Sequence, residues 1–187
     1  MTEFVRLAVL FFAAVNPAAA ALAVAVHAGE TDERPRWQVA AVGLGVATLC
    51  FVLATVFANR ILDGLAIEPE SFRIAAGGVM AMVGAQIIWR GIAAGTAEDR
   101  SWQSAVFPLG IPILAGPAGI VAAVSISADH GVGKTLGAVV IALAVAFVLL
   151  LSRPERARPA LDGMARLTGA LLVAFAVALV ISGIKAV

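Results

Sequence analysis

Two dipeptides carry the chemistry that this chain can offer: Asn16-Pro17 and Gly116-Pro117, each in the middle of a long uncharged run and spaced one hundred residues apart. A proline inside a helix removes an amide donor, clashes with the carbonyl four residues back and pushes the preceding residue out of the α region. Both dipeptides therefore predict broken helices. Backbone groups freed at depth in an apolar solvent persist only where protein buries them or a wet cavity takes them up. The start of a half-helix then presents amide hydrogens and a positive dipole end to a carboxylate or similar group. The side-chain amide of Asn16 both donates and accepts, which suits a zwitterion and equally suits capping the broken helix. Gln86 and Ser125 are the other polar candidates for a binding site centred on Asn16, Pro17, Gly116 and Pro117. Pro108, Pro112 and Gly119 make the second break the more irregular. Gly77, Gly78 and Gly169 are expected to let helices approach closely near the breaks.

What is missing narrows the chemistry further. No Asp, Glu, Lys, Arg or His lies well inside any of the long uncharged runs, so a proton relay or an acidic cation site within them is not expected. The single cysteine, Cys50, makes neither an internal disulfide nor a metal cluster, and no cofactor is implied. The stretch Ala128 to Thr135 ends like a phosphate-binding loop, but Ala128 replaces its first glycine and a membrane helix stands where a strand is needed. Ser127 and His130 resemble a hydrolase pair without an orienting acid or an oxyanion site, and are expected in a solvated loop. Thr48, Thr55, Thr168 and Ser182 are expected to bond between helices. With no nucleophile and base set inside the runs, an enzyme is not expected.

The elements that position these residues follow from composition. Of 187 residues 61% are hydrophobic and 13% charged, with a mean hydropathy of +1.01; 12 acids and 13 bases cannot cover the surface of a water-soluble globule of this length. A net charge of +1 with no basic block excludes nucleic acid as a partner. Uncharged runs at 7–26, 39–58, 74–89, 105–126, 135–152 and 167–184 are close to the roughly 20 residues that cross a bilayer core, and predict six transmembrane helices, the first and fourth broken. The first, third and fifth connections carry eight Lys and Arg against five on the other side, which places those connections in the cytoplasm and both termini outside. Trp37, Trp89 and Trp102 all fall at span ends on that same side, where indole rings favour the interface.

The chain also repeats itself. Phe11 to Ala18 aligns with Ile111 to Ala118 at a shift of one hundred, with the two prolines superposed. Leu62-Asp63-Gly64 matches Leu161-Asp162-Gly163, Arg73-Ile74 matches Arg166-Leu167, and Gly91-Ile92 matches Gly183-Ile184, in the same order. Each half, about 1–95 and about 96–187, holds three spans, so the second enters the membrane from the opposite side. An inverted three-helix repeat within one transmembrane domain is the construction of secondary transporters whose site lies at the midplane. The expected function is transport of a small neutral solute by alternating access. The alternatives are a passive pore, or a non-transporting membrane protein that binds lipid or protein partners. The small-residue surface Gly91-Ile92-Ala93-Ala94-Gly95 offers contact for a homo-oligomer.

The motifs at residues 11–26 and 108–120 resemble the MarC family, also called the neutral amino acid transporter family. Phe11-Phe12-Ala13-Ala14-Val15-Asn16-Pro17 is similar to that family's apolar stretch ending in Asn-Pro or Asp-Pro. Pro108-Leu109-Gly110-Ile111-Pro112-Ile113-Leu114-Ala115-Gly116-Pro117 is similar to its fourth-span motif. Residues 72–78 and 166–169 resemble the openings of its third and sixth spans. The resemblance implies a six-span protein of a bacterial or archaeal cell membrane, a neutral amino acid as solute, and Asn16, Pro17, Pro112, Gly116 and Pro117 at the signature breaks. Ala18-Ala19 and Ala118-Gly119 depart from the family's usual residues after the two prolines.

Overall fold

A computed structural model describes residues 2–21, 36–90, 113–151 and 158–186. Lipid offers no partner to a backbone amide or carbonyl, so runs of Ala, Val and Leu in that solvent satisfy their own hydrogen bonds by coiling into helix. In order these are α1 (Thr2–Val15), the helical residues 17–21 (α2), α3 (Arg36–Val56), α4 (Ala58–Gly64), α5 (Pro69–Arg90), α6 (Pro117–His130), α7 (Val132–Leu151) and α8 (Arg158–Ala186), with no strand among the described residues. Four helices are long and apolar enough to span a bilayer: Glu3–Ala21 taken across its break, Pro69–Trp89, Val132–Leu151 and Pro159–Ala186. A fifth is added if α3 and α4, bent by 56° at Phe57, form one span.

Six spans are expected from the apolar runs, and the difference lies in the fourth. Residues 105–112 of that run, with Pro108 and Pro112, lie outside the described residues. The run continues into α6, whose 14 residues reach about 21 Å and fall short of a bilayer core about 30 Å thick. The bend at Phe57 has no proline or glycine to announce it. Phe57 takes φ −93° and ψ 5°, while its amide still bonds Leu53 O and its carbonyl still accepts from Ile61 N. Arg60 sits over the Phe57 ring at 5.5 Å, and Ala58 and Leu62 bury the inner face of α4.

Two packing contacts organise the bundle. α5 and α8 run antiparallel along their length at a separation that only small residues permit. A Cβ added to Gly77 would stand 2.9 Å from the carbonyl oxygen of Ala176, and one added to Gly84 would stand 2.8 Å from that of Gly169. Gly183 meets the carbonyl of Glu70 in the same way at 3.0 Å. On the other side of the bundle α1, α3 and α6 meet around Phe51, whose ring lies edge-on to Phe11 at 6.2 Å and against Gly119. The outer faces are apolar, with Leu49, Met82, Val140, Val148 and Leu167 all exposed, and Trp37 and Trp89 exposed at helix ends. Such a surface is stable against acyl chains and not against water.

Candidate functional site: two helix starts inside the bundle

The first break forms at Asn16. Its amide closes the last bond of α1 on Phe12 O at 3.1 Å, and its backbone then turns to φ +46°, in the left-handed region where asparagine is among the few tolerated side chains. Pro17 comes next as the first residue of α2, where its missing N–H costs nothing. Asn16 Oδ1 accepts from Ala19 N at 3.3 Å, capping the new helix, and Asn16 O accepts from Ala20 N at 3.2 Å. The cap uses only half of the side chain. Asn16 is 4% exposed, and its Nδ2 is buried with no hydrogen-bond partner.

The second break repeats this local form with a different cap. Gly116 occupies the N-cap position at φ −71° and ψ 165°, Pro117 opens α6, and Ile120 N bonds Gly116 O at 3.0 Å. Glycine has no side chain to cap with, so α6 begins without a side-chain hydrogen bond at its first turn. Its first free amides, on Ala118 and Gly119, lie at buried residues. Both breaks are enclosed by one core that includes Val15, Ala20, Leu114, Ala115 and Ala118.

Ion pairs at one end of the bundle give a reference for the depth of the two breaks. His130 Nδ1 lies 3.0 Å from Glu3 Oε1, and Lys134 Nζ lies 3.3 Å from the same oxygen, which joins the start of α1 to the end of α6 and the start of α7. Asn16 stands thirteen residues beyond Glu3, and Pro117 stands thirteen residues before His130. At 1.5 Å per residue both helix starts are about 20 Å along their helices from that contact. They share one depth.

The remaining expected residues separate. Pro17 is buried beside Asn16, whereas Pro117 is exposed. Ser125 is buried with an unpartnered Oγ, but it lies eight residues, about 12 Å, along α6 from Pro117 and toward the Glu3 end. Gln86 is exposed on the outer face of α5 and does not meet Asn16. Gly77 and Gly169 allow close approach, between α5 and α8; Gly78 is exposed, with nothing within 4 Å of an added Cβ. Gly119 receives the Phe51 ring.

Several hydroxyls bond differently from expectation. Thr48, Thr168 and Ser182 donate to Leu44 O, Ala165 O and Leu179 O within their own helices, because a helix carbonyl one turn back is always in reach and a neighbouring helix is not. Ser127 is in the last turn of α6, not in a loop; buried, it donates to Thr55 O at 2.8 Å across the bundle. The pair Arg73 and Asp129, joining α5 to α6, is not legible from spacing, since 56 residues separate its members. At the opposite end Arg166 bonds Asp162 Oδ2 at 2.9 Å and Ile88 O at 3.1 Å.

Among known protein families, the model described as MarC family integral membrane protein matches residues 1–187. A UPF0056 membrane protein of Pyrococcus horikoshii is 28% identical over 142 residues, which cover 71% of this chain and 70% of the relative. No solved structure matches the chain.

Proposed function

Because this chain belongs to the MarC family of integral membrane proteins, a multi-pass protein seated in the lipid bilayer, we propose that it is a secondary transporter of small neutral solutes, neutral amino acids among them. The observation that carries this reading is the pair of helix starts at Asn16-Pro17 and Gly116-Pro117 at one depth, with the buried Asn16 Nδ2 donor unspent and the first turn of α6 uncapped. Unspent donors at two helix starts of equal depth suit a carboxylate or carbonyl of a small solute and leave no charged side chain to trap it. Solute held there would be released to either side by rocking one half of the protein on the other. The protein works without covalent chemistry.

The contact between α5 and α8 supports two inverted halves, about 1–95 and about 96–187, in a six-span domain. Adding 92 to 77 gives 169, and adding 92 to 84 gives 176. The pair Gly77 with Ala176 therefore becomes Gly169 with Gly84, which is the other close pair of the same contact. A two-fold axis through the middle of the contact produces that exchange, and lying in the membrane plane it makes the helices antiparallel. The arginine balance further supports the cytoplasmic membrane, with both termini outside.

The test is exchange in liposomes. Reconstituted protein loaded with unlabelled alanine should accumulate labelled alanine, glycine or serine by counterflow, with saturation. Asn16→Ala should lose at least nine-tenths of that rate. Uptake that stays linear in concentration without counterflow would replace this reading with a passive pore.

A further inference from the structure

At the Glu3 end of the bundle α1 and α8 stand apart. Further along they close up, where Ala18 of α2 packs on Leu161 and Ala165 of α8. Toward Glu3 a cavity of about 280 Å³ separates Leu7 and Leu10 of α1 from Phe175 and Leu179 of α8, with Ile126 of α6 in its wall. The cavity reaches from Glu3 to Leu10 on one helix and from Ser182 to Phe175 on the other, about 10 Å along each. That is about two-thirds of the roughly 15 Å that one leaflet contributes to the bilayer core. The walls are largely apolar, and the same two helices expose Val5, Val9, Val177 and Ile181 on their outer faces. The slot is therefore a wedge of hydrocarbon-like surface within one leaflet.

The charges at its mouth do not cancel. Asp129 is spent on Arg73, and Glu3 lies against both His130 and Lys134. Arg6 lines the same cavity, is exposed, and forms no ion pair among the described residues. One unspent guanidinium over an apolar slot calls for a ligand with an anionic head and a hydrocarbon tail. A hydrocarbon chain covers the walls, which a small hydrophilic solute would leave wet, and a guanidinium fork takes phosphate oxygens in pairs. We propose that the cavity is a binding site for an anionic phospholipid, phosphatidylglycerol, with one acyl chain between α1 and α8 and its phosphate on Arg6. The site is separate from the two helix starts, goes beyond the transport reading and holds whether or not a solute crosses the membrane.

The test is fluorescence quenching by brominated lipids in the full-length protein, with Phe175→Trp as the reporter in the cavity and Trp37, Trp89 and Trp102 replaced by Phe. A basic side chain at the headgroup level is worth about a fivefold preference for an anionic lipid. Brominated phosphatidylglycerol should therefore quench the new indole at a concentration at least threefold lower than brominated phosphatidylcholine. Arg6→Lys should keep that preference and Arg6→Gln should lose it. Ala178→Phe, which fills the cavity from α8, should weaken quenching by both lipids without touching a charge. A second measurement covers a reporter that fails to fold: in native mass spectrometry the chain with its own residues should retain one phosphatidylglycerol after phosphatidylcholine is stripped, and Arg6→Gln should not. Equal quenching by the two lipids overturns the proposal, as does a preference that survives both Arg6→Gln and Ala178→Phe. An indole quenched by aqueous iodide and by neither lipid overturns it in favour of a water-filled vestibule.

Discussion

Gly77 and Gly78 are adjacent on one helix, yet the structure assigns them opposite responses to the same substitution. Replacing either by Ala removes the same backbone entropy penalty, about 0.5–1 kcal/mol in favour of the variant. At Gly78 nothing lies within 4 Å of the new methyl, so the gain should appear undiminished. At Gly77 the methyl would stand 2.5 Å from Val180 Cγ2 and 2.9 Å from Ala176 O. A valine methyl can rotate away, but the carbonyl is part of the α8 ladder, so α8 itself must move. Overpacking of this kind costs about 1–3 kcal/mol, which outweighs the backbone gain over most of that range. Gly77→Ala should therefore unfold more easily than Gly78→Ala by about 1–3 kcal/mol in mixed-micelle denaturation followed by helical circular dichroism. Val180→Ala in the Gly77→Ala background should recover part of the loss and not all of it, because the carbonyl remains. Gly77→Ala and Gly78→Ala within about 0.5 kcal/mol of each other would refute the close approach of α5 to α8.

Three other outcomes are expected from the packing, the first break and the charge balance. For Asn16, thermal stability should fall in the order Asn, Gly, Ala: glycine keeps the left-handed turn and loses only the cap, a few tenths of a kcal/mol, while alanine adds about 1–2 kcal/mol of strain at φ +46°. Equal melting of Asn16→Gly and Asn16→Ala would show that the turn is not left-handed. Gly119→Ala should be destabilising, because its methyl would stand 2.9 Å from the Phe51 ring, and Phe51→Leu should make the same change tolerable; the double-mutant cycle in detergent reads the coupling directly. Cysteines placed at Glu3 or Glu68, in a background lacking Cys50, should react with an impermeant thiol reagent in intact cells, and cysteines at Glu33 or Glu98 should be protected; the reverse pattern would invert the proposed orientation.

The membrane class, the helical architecture and the first break are all readable from residue order. Each rests on local physics: a 20-residue apolar run leaves no other way to satisfy its backbone, and an Asn-Pro inside it must turn the helix. The capping role of Asn16 is readable for the same reason, since its partner Ala19 lies three residues away. What residue order does not disclose depends on which faces meet. Gln86 is as polar as Asn16, but whether an amide on a helix points inward is decided by the neighbours that cover the rest of that helix, and α8 covers the Gly77 and Gly84 side of α5. The bend at Phe57 has no breaker in the sequence and arises where α4 lays Ala58 and Leu62 against the bundle. The pair Arg73 and Asp129 is the clearest case. Arg73 stands near the start of α5 and Asp129 at the end of α6, 56 residues apart, and only antiparallel packing of those two helices brings them to one face.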